Sequence, residues 1–142
     1  MDNNKDILDE INKGCYMGIH AIKIILEKTD NLDFKELLDK QIDMYEEISS
    51  RVTDIYSDYS KNPPEDISNM AKAMSWYGIQ RDTILDNSTS KLADLLLNGT
   101  NMGIIEGRKL LNHKNMDKKI HKICSDYVKI QEKYIEKLKK FL

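Results

Sequence analysis

Apolar residues recur along this chain at steps of three and four, the spacing of helices buried along one side. From residue 4 to about 29 the inward set is Leu8, Ile11, Cys15, Gly18, Ile22 and Ile25. Asn3 or Asn4 suits the start of this helix, and Thr29-Asp30-Asn31 ends it. A second helix is predicted from about 32 to 61, with Phe34, Leu37, Leu38, Gln41, Tyr45, Ile48, Val52, Ile55 and Tyr59 inward. The turn between the two is short enough to demand an antiparallel hairpin. Asn62-Pro63-Pro64 stops the second helix, because a residue before proline resists the helical region. A third helical stretch is predicted from about 66 to 87. Met70, Ala73, Met74, Tyr77, Ile84 and Leu85 share one stripe of it, while Trp76 and Ile79 point elsewhere. The run from Asp86 to Ser90 is rich in capping residues and breaks that helix. The fourth helix is predicted over 89–112 and the last over 116–141. Ile120, Cys124, Tyr127, Gln131, Tyr134, Leu138 and Phe141 face inward on the last.

One stretch occurs twice. Gly14-Cys15-Tyr16-Met17-Gly18-Ile19 returns as Gly99-Thr100-Asn101-Met102-Gly103-Ile104, and Lys23, Ile25 and Leu26 match Arg108, Leu110 and Leu111. Each copy opens a hairpin. The chain therefore reads as one all-α domain of two related hairpins, 4–61 and 89–141, joined by a crossover over 62–87 that runs the length of a bundle. In that connectivity neighbouring helices are antiparallel, and the second helix lies beside the last.

The order hairpin–crossover–hairpin, the opening Ile11-Asn12-Lys13-Gly14 and the connector residue Trp76 resemble small uncharacterised bacterial proteins of the ferritin-like superfamily. The resemblance implies a ferritin-like four-helix bundle and an oligomer, and brings no activity with it. The di-iron centre of that superfamily takes a Glu from each of two helices and a Glu-x-x-His from each of the other two. Here the matching turns read Tyr45-Glu46-Glu47-Ile48 and Tyr127-Val128-Lys129-Ile130, without the histidines. Gly18 and Gly103 stand near the level of the inward acids, leaving Glu106 as the one candidate core carboxylate. No metal centre and no cofactor are expected.

Glycine inside a helix costs roughly 1 kcal/mol relative to alanine. Gly14 and Gly18 lie one turn apart, as do Gly99, Gly103 and Gly107, and these five therefore ask for a reason. Counted back from the hairpin turns, Gly18 faces Tyr45 and Gly103 faces Tyr127, which predicts an aromatic ring over a glycine notch in each hairpin. His20, with Met17 beside it and Met102 as counterpart, is the candidate for a soft-metal or haem contact, although methionine at helical spacing is ordinary core filling. A central cavity would be lined by His20, Tyr45, Glu106, Tyr127, Met17 and Met102. His113 and His121 read as solvated.

Composition narrows the function. The 142 residues carry a net charge of only −2, so no strong field points to nucleic acid. From Asp30 to Asp66 eleven acids face four bases, and from Arg108 to Lys140 eleven bases face four acids. The acidic second helix and the basic last helix are expected to be neighbours. The segment from Met1 to Lys5 lacks the apolar core of a signal peptide, and no apolar run reaches membrane-spanning length. Cys15 and Cys124 fit buried, reduced thiols on diagonal helices and a cytoplasmic setting. With no nucleophile elbow, phosphate loop or zinc spacing, the expected role is non-catalytic. It is a structural or protein-interaction module, a homodimer through Met70, Met74, Trp76 and Ile79. The alternative is a bundle that binds a small ligand or metal at its centre.

Overall fold

The computed structural model describes residues 3–142, apart from the side chains of Ser68, Ala71, Ala73, Ser75, Trp76 and Tyr77. The expectations placed on Ala73, Trp76 and Tyr77 therefore lie outside the described residues. The described chain is all-helical, with α1 at Asn4–Leu26, α2 at Leu32–Tyr56, α3 at Ser68–Asp82, α4 at Thr89–His113 and α5 at Lys118–Leu138. A 3-10 turn, Lys139–Phe141, closes the last helix.

The ends follow from local chemistry. Asn31 caps α2 by accepting from the Phe34 N–H, and Ser88 caps α4 by accepting from the Lys91 N–H. The expected cap of α1 is absent: Asn3 makes no side-chain cap bond, and Asn4 instead accepts from the Asp117 N–H at 3.0 Å. That bond ties the start of α1 to the start of α5. α2 stops at Tyr56 rather than near 61, because its last turn tightens into bonds three residues apart, Asp58 to Ile55 and Tyr59 to Tyr56. α3 is shorter than its apolar stripe predicts. The Thr83 hydroxyl turns back to donate to the Ile79 carbonyl at 2.7 Å, and Ile84 and Leu85 project into solvent.

α1 rises and α2 descends as an antiparallel pair. α3 climbs alongside α1, with Lys28 donating to Gln80 near their upper ends. α4 descends and α5 rises as the second pair. The hairpins join where α2 meets α5, where α1 meets α4, and along the α1–α5 diagonal. Phe34 and Phe141 close the upper end, their ring centroids 5.1 Å apart. Leu8, Ile11, Ile22, Ile25, Leu38, Ile48, Leu92, Ile120 and Leu138 are fully buried between the layers. The acidic and basic helices do adjoin. Lys119 reaches Asp58 at 2.6 Å, but Arg51 of α2 also reaches Asp126 of α5 at 3.0 Å, with the charges the other way round.

Candidate functional site

α1 packs chiefly on α2 and α3, and α4 chiefly on α5. Beside the contact that α1 and α4 keep, a cleft of about 630 Å³ enters the bundle, lined from both helices. α1 gives one wall through Gly14, Met17, Gly18 and Ile22. α4 gives the other through Leu95, Gly99, Met102 and Gly103. α3 overhangs the mouth with Met74, Gly78, Ile79 and Asp82.

The floor is polar and uncharged. Gln41, Tyr45, Thr100, Tyr127 and Gln131 form it, all buried. Tyr45 donates to Gln131 Oε1 at 2.8 Å, and Gln131 Nε2 donates to the Tyr127 carbonyl at 3.1 Å. Gln41 Nε2 donates to Thr100 Oγ1 at 3.0 Å. Gln41 Oε1 receives no hydrogen bond from any group among the described residues. The two tyrosine rings lie 6.5 Å apart. Burial raises both phenols above their ordinary range, with nearby Tyr45 and Cys15 adding to the effect at Tyr127. Burial also raises the Cys15 thiol, and pushes Cys124 up to about 11 against the opposing pull of Arg108.

The glycines divide into two kinds. Gly18 makes room for the Tyr45 ring, whose Cε2 lies 2.6 Å from where a Cβ would stand. The Tyr127 hydroxyl occupies the space over Gly14, the Gln131 amide that over Gly103, and Val128 that over Gly107. Gly78 and Gly99 differ: a Cβ at either would meet no atom within 4 Å among the described residues, and both line the cleft. Gly14 and Gly99 are equivalent in the repeat, so the likeness of the hairpins breaks at the cleft. One notch is filled by an aromatic side chain, and its counterpart faces open space.

Several expected residues move. Gly103 lies against Gln131 rather than Tyr127. Tyr45 and Tyr127 do reach the floor, and Met17 and Met102 the walls. Glu106 is not a core acid; it stands at the rim, its side chain 67% exposed, 3.9 Å from Lys109. His20 does not line the cleft. Its ring lies nearly parallel to Tyr16 at 6.5 Å, and burial lowers its pKa, helped by Lys23 and Lys72. Ile79 is buried against the cleft instead of lying on an open surface, whereas Met70 and Met74 are exposed. Sequence periodicity missed Gly78 and Asp82, because helix phase alone does not show that α3, packed on α1, reaches the mouth of the cleft.

Among the described residues no three His, Cys, Asp or Glu side chains come together to hold a metal ion. No described helix is long and apolar enough to cross a membrane. Comparison with protein-family models, with curated proteins and with solved structures finds no match.

Proposed function

We propose that this chain is a non-catalytic binding protein, built on a ferritin-like frame, that takes a small amphipathic molecule between α1 and α4. The observation that carries this reading is the pair Gly78 and Gly99. Each gives up helix stability with no described neighbour to accommodate, and each faces the cleft. A volume of about 630 Å³ with apolar walls and a few polar groups at depth matches ligand pockets in general. Burial holds the floor's phenols and the nearby Cys15 thiol in their protonated forms, which favours binding over acid–base or nucleophilic chemistry. The two buried thiols suit a reducing compartment such as the cytoplasm.

Titration with Nile red, an uncharged apolar fluorophore, tests the reading. Wild type should bind it with enhanced emission. Gly99→Leu should keep its helical circular dichroism while losing at least about tenfold in affinity, roughly 1.4 kcal/mol. Equal binding by the two proteins would remove the cleft from consideration. A second reading is homodimerisation on the same side, favoured by the exposed Met70, Met74, Met102 and Ile105. Sedimentation equilibrium of wild type and Met74→Lys/Met102→Lys checks it: a dimer is expected to dissociate in the double variant.

A further inference from the structure

We infer that the molecule bound in this cleft is an uncharged amphipath, with an apolar body and a hydroxyl or carboxamide head seated against Gln41. The inference rests on the cleft reading above and adds the chemistry of the ligand.

Gln41 is fully buried and lies at the inner end of the cleft. One end of its amide is satisfied by Thr100, and the other has no partner among the described residues. A buried polar atom left in that state costs about 1–3 kcal/mol. Oε1 is closed to solvent in this arrangement, so a head group carried in through the cleft removes the cost by donating to Oε1 once the Gln41 side chain turns toward the cleft it lines. Rotating the amide by half a turn would present N–H groups at the same place. A hydroxyl or carboxamide meets either arrangement, because each both donates and accepts.

Charge selects among heads. The floor offers two amides, one aliphatic hydroxyl and two phenols, all neutral. The ionisable side chains of the cleft wall, Glu10, Lys13, Asp82 and Glu106, are all exposed at its rim. A carboxylate or ammonium carried to the floor would lose its hydration with no opposite charge to meet it, a penalty of several kcal/mol. The walls select the body. Ile22, Ile25, Ile79, Leu96 and Leu110 are aliphatic, and Met74 and Met102 at the mouth adapt to irregular shapes.

Displacement of Nile red by five dodecyl compounds tests this: dodecanol, dodecanamide, dodecanoate, dodecylammonium and dodecane. Dodecanol and dodecanamide are expected to displace at concentrations at least about tenfold lower than the other three. In Gln41→Leu the advantage of dodecanol over dodecane should shrink to within about twofold. In Gln41→Glu the preference should pass to dodecylammonium. The ranking in wild type decides the matter even if a variant does not fold. Dodecanoate or dodecylammonium binding as tightly as dodecanol to wild type would overturn the inference and leave the cleft reading standing. So would dodecanol binding no better than dodecane. Failure of Nile red and of all five compounds to bind wild type would bring down the cleft reading itself.

Discussion

Whether a glycine here can be replaced depends on what lies over it. Gly18→Ala forces a methyl group to within 2.6 Å of the Tyr45 ring, which is itself buried and bonded to Gln131. Overpacking of that kind costs about 1–3 kcal/mol. Gly99→Ala places the same methyl in open space, so the better helix former wins by about 0.5–1 kcal/mol. Thermal or urea denaturation should show opposite signs for the two substitutions, although the positions sit in matching stretches of the repeat. The Tyr45–Gly18 contact was legible from the sequence, because the distance of each residue from a short hairpin turn fixes its height. The position of Tyr127 was not. Its ring crosses the bundle diagonal to reach Gly14, a contact across the α1–α5 diagonal that periodicity does not reveal. Glu106 was misplaced for a related reason: a cleft opens between α1 and α4 at its level, so a position that a closed bundle would bury lies at a rim.

The long helices announce themselves through uninterrupted stripes; α2 and α4 begin at side-chain caps, whereas the expected cap of α1 is absent and α2 ends at Tyr56 rather than near 61. Asn31→Ala and Ser88→Ala each remove a side-chain acceptor from an exposed helix start, and each should lower unfolding free energy by about 0.5–2 kcal/mol in urea titrations. α3 was harder to read. Its expected stripe included Ile84 and Leu85, which are 77% and 98% exposed and lie beyond the helix. The apolar run continued past the point where the backbone turned, because Thr83 offered its hydroxyl to the helix end. Pairing of the acidic and basic helices was legible as a tendency. The individual ion pairs were not, since Arg51 and Asp126 are each of the minority sign on their own helix.

At the scale of the whole molecule, protonation and folding are linked through the core. Cys15, Tyr45 and Tyr127 keep their protons in the fold well beyond the point where an unfolded chain would release them, near pH 8.5 for the thiol and about 10 for the phenols. The folded state then binds more protons than the unfolded one, so stability declines as pH rises. Their contribution should be fully present below about pH 8 and fade progressively above it, as denaturant titrations between pH 7 and about 10.5 would show. The same burial shields both thiols. An aromatic disulfide reagent should titrate Cys15 and Cys124 promptly in denaturant and slowly without it, with Cys15 the slower of the two. The unpartnered end of Gln41 reaches further than its immediate surroundings. A fold that carries an unmet bond at its middle is held below the stability its own length would allow, and whatever meets that bond raises the temperature at which the chain comes apart. A compound that meets this bond should therefore raise the melting point, and a thermal-shift screen would reveal it.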